Sequence, residues 1–391
     1  MAGPLTGIRV IDAAQMYAAP GLGMYLADFG ADVVKVEPPA GDTSRGMHTA
    51  PGLGDLSKPF LHLNRNKRSI SLDIRKPEGR DLLLRMVRDA DVYITNLRTG
   101  VPERLGIGYD TMEKLNPRLV YVSLTAWGAA GPRRQRPGYD LLIQARAGFL
   151  DARRYPDGSP VSPALMAADP SVPLLLAYGV TMALYERDRS GRGQKVESSL
   201  FAATIAMQNH TLVRLEREPS LPSTGNKATH IHRCSDGAYL IVIIITNEEW
   251  GRFCRAIGLD KYADDPRFGS YMGRAEHHND ITAMLKPVFE ARPRDYWTKL
   301  LAERDVPCEP IVTRQELLAD PQAQANGYFV DLDDTRVGKM TTMGLPLSLS
   351  RTPGELRCPA PRLGDHTDEI LREMGLTAQE IQRLRQTKVV K

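Results

Sequence analysis

The sequence predicts an α/β fold: a large domain on a doubly wound, Rossmann-like open sheet, and a smaller α/β domain. Three observations carry this. Short apolar runs alternate with helical stretches through the first half of the chain, as expected for a parallel sheet with helices on both faces. A Pro/Ser-rich stretch, Glu218–Gly225, breaks the composition and reads as a domain boundary. Beyond it, Tyr239–Ile245 is strongly β-branched and is followed by helical patterns.

In chain order, Ile8–Asp12 is a buried-strand pattern. Pro20–Phe29 is helical, with Leu22, Tyr25, Leu26 and Phe29 on one period and Gly30 as its stop. Val33–Glu37 is a second strand, ended by the Pro38–Gly41 turn, completing a βαβ unit. The pattern repeats: strand Ser69–Asp73, helix Pro77–Ala90, strand Val92–Thr95, helix Tyr109–Leu115, strand Leu119–Ser123. Lys195–Phe201 reads as a strand running into a helix that lasts to about Arg217. In the small domain, helices are expected around Glu248–Ile257, Arg274–Glu290 and Pro293–Arg304, and Thr377–Thr387 is a closing helix. The division is a large domain over 1–217, a linker over 218–229 and a small domain over 230–334. A loop-rich linker over 335–353 then leads to a return to the large domain over 354–391.

The stretch from Met166 to Gln194 organises the rest. Asp169-Pro170 is a helix-start signature, because the Asp side chain can accept from free backbone N–H groups and Pro needs no donor there. Val172–Tyr185 is apolar on nearly every side, which predicts a fully buried helix. Asp169 therefore reads either as a plain N-cap or as a carboxylate delivered to the mouth of that helix.

In an open α/β sheet the ligand lies beyond the carboxyl ends of the strands. That directs attention to Gln15–Tyr17, Glu37–Arg45, Asp73–Arg75, Asn96–Arg98 and Thr125–Gly128. No GxGxxG follows the first strand, since Gly21-Leu-Gly23 falls inside a helical stretch. A P-loop and a GxSxG elbow are also missing, which argues against a nicotinamide enzyme, an ATPase and a serine hydrolase.

With 51 basic and 47 acidic residues the net charge is +4, too weak to argue for nucleic acid. Two basic clusters, Arg65–Arg68 and Arg133–Arg136, could meet phosphate, although a solvated face is the commoner outcome. The four cysteines are widely spaced, the opening residues lack a signal-peptide pattern, and no apolar run reaches membrane-spanning length. A cytoplasmic protein with reduced thiols and no membrane partner is expected. His230, His232 and Cys234 alternate along one strand face. That supplies three potential zinc donors, but an ordinary polar strand explains them as well, and no metal is expected.

Taken together, many short segments in fixed order resemble the family III CoA-transferases, almost end to end. They are Pro4–Asp12, Leu26–Pro38 with Gly41-Asp42, Asn64–Asp73, Ala90–Asn96, Arg104–Gly108, Gly191–Gln194 and Leu363–Leu371. The resemblance implies CoA transfer between an acyl-CoA and a free carboxylic acid, with CoA as substrate and no permanently bound cofactor. It places a nucleophilic aspartate on Asp169 and puts Tyr139 near the reacting thioester. The helix start behind Asp169 is then expected to keep it ionised. CoA contacts fall on Tyr17, Ala18, Leu72, Arg75, Asn96, Leu97, Arg98, Arg104 and Asp140, with Arg75, Arg98 and Arg104 as phosphate partners. An interlocked homodimer is also implied, the two linkers forming a ring through which the partner passes.

Three departures stand out. Pro170–Pro173 replaces a turn that often carries glycine, and Pro38 stands where some relatives have Arg. Gly225–His230 stands where the formyl-CoA transferases have a glycine-rich loop, which argues against oxalate or formate as substrate. The nearest alternative is a 2-methylacyl-CoA racemase, whose base is a His at the position of Tyr139; a phenol, with an ordinary pKa of ~10, is a poor base at neutral pH. A non-catalytic CoA-binding paralogue is the alternative from another class.

Overall fold

The computed structural model describes residues 3–47, 53, 56–152, 154–155, 157–217 and 229–391. The chain forms two compact units, residues 1–222 with 325–391, and residues 223–324.

The first unit is built on a six-stranded sheet, parallel throughout. Its strands are β1 (Arg9–Asp12), β2 (Asp32–Glu37), β3 (Arg68–Ser71), β4 (Val92–Thr95), β5 (Val120–Thr125) and β6 (Lys195–Ser199). Their order, β3-β2-β1-β4-β5-β6, is that of dinucleotide-binding sheets, although the sequence lacks the glycine fingerprint. The alternation of the strands divides the core. Val10, Val33, Val92, Val120 and Val122 face one side, and Ile11, Val34, Tyr93 and Tyr121 face the other.

The intervening helices are α1 (Ala18–Asp28), α2 (Lys58–Leu63), α3 (Pro77–Arg88), α4 (Val101–Arg104), α5 (Tyr109–Leu115), α6 (Asp140–Arg146), α7 (Ala168–Ser190) and α8 (Leu200–Met207). Helices α1, α7 and α8 cover the first face and α3 the second. Gly21 lets α1 lie close to α7, since a Cβ there would stand 3.1 Å from the Pro173 ring.

Helix α7 spans 23 residues and differs from expectation in that one side is open: Leu174, Tyr178, Met182 and Tyr185 are exposed, Tyr185 by 68%. The other side, with Val172, Leu176 and Val180, is in the core. An apolar stretch reads as fully buried whether its outer side meets this chain or something else.

The second unit carries a three-stranded antiparallel sheet of β7 (Thr229–Arg233), β8 (Tyr239–Ile243) and β9 (Cys308–Pro310). Its helices are α9 (Asn247–Ala256), α10 (Tyr271–Glu276), α11 (His278–Phe289), α12 (Arg294–Glu303) and α13 (Arg314–Leu318). The helix expected over Arg274–Glu290 is thus two, divided at His277. His230 and His232 are buried and stacked, His230 on His278 and His232 on the Phe289 ring 4.0 Å away. Burial pushes their pKa values down, to about 4 and about 3, so both imidazoles are neutral core rings. Among the described residues no cluster of three His, Cys, Asp or Glu is placed to hold a metal ion.

Helix α14 (Pro321–Ala325) leads back to the first unit, where β10 (Phe329–Asp334) and β11 (Gly338–Met343) form an antiparallel hairpin. The stretch read as a loop-rich linker is therefore partly strand, and the expected small-domain limit at 334 falls inside this hairpin. Its alternation is short, Val330-Asp331-Leu332-Asp333 in β10, and β11 is Gly-Lys-Met-Thr-Thr-Met with no clear apolar face. Helices α15 (Thr367–Glu373) and α16 (Ala378–Gln386) close the second face of the sheet. Among the described residues no helix is long and apolar enough to cross a membrane.

Candidate active site

The strand order reverses between β1 and β4, and a crevice opens just beyond their carboxyl ends. Met16, Tyr17 and Ala18 line it after β1, Asn96 and Arg98 after β4, and Leu124–Ala126 at the end of β5. Gly138 and Tyr139, ahead of α6, and Asp169, on the first turn of α7, complete the wall. This is where an open α/β sheet binds its ligand.

Each wall segment is held by identifiable bonds. Met16 has φ of +72°, a left-handed conformation that costs a non-glycine residue about 1 kcal/mol or more. Its N–H donates to Asp42 Oδ1 at 3.0 Å, while Asp42 Oδ2 accepts from Lys35 Nζ at 2.7 Å. Asn96 clamps the neighbouring residue: Gln15 N–H donates to Asn96 Oδ1 at 3.0 Å, and Asn96 Nδ2 donates to the Gln15 carbonyl at 2.7 Å. The Tyr17–Ala18 wall is thereby fixed. Gly138 is required because a Cβ there would stand 2.3 Å from that of Ala126.

Asp169 is not an N-cap. Helix α7 starts at Ala168, the cap position is Ala167, and Asp169 is the second helical residue. Its N–H donates to Asp140 Oδ2 at 2.8 Å, and Asp140 Oδ1 accepts from Ala167 N–H at 3.3 Å and from the Gln144 amide. Pro173, one turn on, has no N–H to offer the Asp169 carbonyl. Among the described residues no hydrogen bond or ion pair engages the Asp169 carboxylate. Burial, and then the negative charge of Asp140, push its pKa up to about 6. The helix start was expected to hold it low; the nearby amides are instead spent on Asp140. Tyr17 answers to the same carboxylate: burial and Asp169 raise its pKa, so the phenol stays protonated.

The structure brings Tyr17, Ala18, Asn96, Arg98, Tyr139 and Asp169 to one crevice, along with Arg134 and Arg136, which were noted only as part of a basic cluster. Arg98, Arg104, Arg134 and Arg136 have no carboxylate partner among the described residues. Four other expected contacts, Leu72, Arg75, Leu97 and Arg104, lie outside this wall. Leu72 is buried and its backbone bridges to Val390; Arg75 pairs with Asp73 at 2.8 Å. Asp140, expected to touch CoA, is only 4% exposed and has both oxygens engaged.

The cluster Arg65–Arg68 is neither a phosphate site nor a solvated face. Arg65 pairs with Asp28 and Lys67 with Asp12, all buried, while Arg68 spans Asp32, Glu369 and Glu373. Lys35–Asp42 and Arg45–Glu37 extend this set. Burial pulls Lys67 down to about 8, yet its ammonium meets three acceptors, Asp12, Asn64 and the Pro20 carbonyl.

Residues 5–367 match the family model described as CoA-transferase family III. The chain is 34% identical over 387 residues to the succinate–glutarate CoA-transferase of Agrobacterium fabrum, covering 95% of this chain and 96% of that one. An acyl-CoA transferase of Fusarium pseudograminearum is 33% identical over 403 residues, covering 99% of this chain and 88% of that one. Among solved structures, a CAIB/BAIF family protein from Brucella suis superposes with a TM-score of 0.85 at 31% identity, covering 96% of this chain and 100% of that one. With a doubly wound sheet, a crevice at its switch point and a match over nearly the whole length, the chain belongs to CoA-transferase family III and is an enzyme of that class.

Proposed function

We propose that this enzyme moves CoA from an acyl-CoA to a free carboxylic acid through a covalent intermediate on Asp169. The observation that carries the proposal is the state of that carboxylate. It is half-buried, raised to about 6, bonded to no cation or amide, and faces a crevice that also holds Arg98, Arg134 and Arg136. A structural aspartate at a helix start would be spent on backbone amides.

Exchange of one thioester for another is close to thermoneutral, so no nucleotide is consumed. An Asp169 oxygen bonds to the thioester carbonyl carbon, the C–S bond breaks, and CoA leaves as thiolate with the electron pair. The thiolate then attacks the aspartyl carbonyl of the mixed anhydride. The first acid departs and an aspartyl-CoA thioester remains. The acceptor carboxylate takes the CoA by the reverse sequence, and Asp169 is regenerated. Tyr17, as a retained phenol, and the uncapped start of α1 at Ala18 are the donors proposed for the oxyanions. Arg98 and Arg104 meet CoA phosphates, and Tyr139 lies alongside the thioester. Leu72 N–H donates to the Glu37 carbonyl at 2.7 Å and Leu97 N–H to Thr95 Oγ1 at 3.3 Å, so these two and Arg75, paired with Asp73, take smaller parts.

The enzyme acts in the cytoplasm as a homodimer. The four free thiols suit a reducing compartment. The exposed apolar side of α7, continued by Leu141, Leu142, Ile205 and Met207, suits burial against a second copy. An interlocked arrangement of the two chains is part of this reading.

The test is a panel of acyl-CoAs with free acids, followed by intact-mass analysis of protein trapped during turnover. Asp169→Asn is expected to lower exchange at least about a thousandfold and to abolish the adduct. Undiminished exchange by Asp169→Asn would sink the proposal. CoA binding without exchange in the wild-type protein would favour the non-catalytic reading, and deuterium wash-in at the α-carbon would favour the racemase.

A further inference from the structure

Two aspartates meet at the start of α7, and they are used differently. A helix start leaves backbone N–H groups without partners in the helix, and a polar side chain at the cap ordinarily takes them. Ala167, at the cap, has no such side chain. Asp140 reaches across from α6 instead and accepts the N–H groups of both Ala167 and Asp169. Gln144, one turn further along α6, donates to the same Asp140 carboxylate and to the Leu165 carbonyl. Pro170 needs no acceptor. Of the donors at this helix start, the Ala167 and Asp169 N–H groups are thus taken by Asp140, and Pro170 has none to give. The Asp169 carboxylate is left facing the crevice.

We propose that Asp140 is a positioning residue for CoA transfer: by capping α7 from a neighbouring helix it frees the Asp169 carboxylate for covalent chemistry. This rests on the reading of Asp169 as nucleophile. Asp140 forms no bond to substrate and moves no proton; the C–O bond made and the C–S bond broken both belong to Asp169 and the thioester. Its effect is on the reactivity of its neighbour. A carboxylate that accepts helix amides is stabilised and less basic, hence a weaker nucleophile; one set beside a fixed negative charge is more basic. The other ionisable groups around the crevice are Tyr17 ahead of α1, Tyr139 ahead of α6, Arg98 after β4, and Arg134 and Arg136 ahead of α6. The arginines oppose the effect of Asp140, so the pH profile reads their balance.

The experiment compares Asp140→Asn and Asp140→Ala with wild type in the full chain, measuring kcat and KM for the acyl-CoA across pH together with the mass of the trapped adduct. Asn keeps one of the two acceptor oxygens, enough for the Asp169 N–H, and loses the charge. Its acid limb in kcat/KM is expected to move down by about one pH unit, with kcat reduced roughly tenfold and KM changed less than about twofold. Ala loses the acceptor as well, and Asp169 is expected to turn back onto its own helix start, lowering kcat roughly a hundredfold with KM again little changed. Should Asp140→Ala fail to fold, the Asn variant and Gln144→Leu, which removes a bond to the same carboxylate, carry the test. An acid limb that stays in place in Asp140→Asn, with kcat near wild type, overturns the inference while leaving Asp169 as nucleophile. Full exchange by Asp169→Asn overturns the reading beneath it.

Discussion

At position 169 a half-buried negative charge has no ion-pair partner among the described residues. Because burial and Asp140 raise its pKa to about 6, the reactive ionised form is lost as the pH falls through that value. On the proposed mechanism, kcat/KM declines about tenfold per pH unit below 6, which a pH–rate profile checks. The same shift has a stability sign. A carboxyl that is harder to ionise in the folded protein costs stability once ionised, so the cost grows between about pH 4 and 6 and is full above. Asp169→Asn should therefore stabilise the protein at pH 7.5, on the order of 1–2 kcal/mol after allowing for screening, and not at pH 4, by thermal melts. The helix start at Asp169-Pro170 was legible because Asp-Pro before an apolar stretch is a local signal; the role proposed for Asp169 came from the family resemblance and not from that signal. The α7 partners of Asp140 were not legible: they stand 27 and 29 residues away, and only the packing of α6 on α7 joins them.

At the scale of elements, the strand and helix pattern of the sheet was legible almost throughout, since each strand is an apolar run bounded by turn residues. What escaped were pieces without such a signal, the β10–β11 hairpin, and everything decided by pairing. Asp12, Asp28, Lys35, Glu37, Asp42, Arg45, Arg65 and Lys67 are residue types that ordinarily lie at the surface, yet they are buried in four ion pairs. Removing one member leaves a buried charge unanswered. Lys67→Met is expected to cost about 3–5 kcal/mol, read by chemical denaturation. The stacked histidines of β7 predict acid lability of the second unit. Their folded pKa values lie below the ordinary 6.5, so the stability they allow is present above pH 6.5 and is lost as the pH falls towards 4. Trp250 and Trp297, both buried in that unit, report it by fluorescence. His232→Phe, which keeps a ring on Phe289, should weaken the pH dependence; an unchanged acid transition would count against this account.

For the whole molecule, the open side of α7 is the feature that a single chain leaves unexplained. A stripe of Leu174, Tyr178, Met182 and Tyr185 is costly to leave in water. If the proposed homodimer packs on this face, replacing Leu174 and Tyr178 by Asp together should yield monomeric or insoluble protein by light scattering, whereas a variant that still dimerises would place the contact elsewhere. A second feature, the return of the chain to its first unit, bears on how the enzyme is made. Leu72 bridges to Val390, Asp73 N–H donates to the Val389 carbonyl at 2.8 Å, and both valines are buried. The β3 flank of the sheet is therefore closed only by residues that follow it by more than 300 positions. A contact of such long sequence separation forms late, so a chain lacking Val389 and Val390 should refold more slowly and expose an apolar flank, read by refolding kinetics.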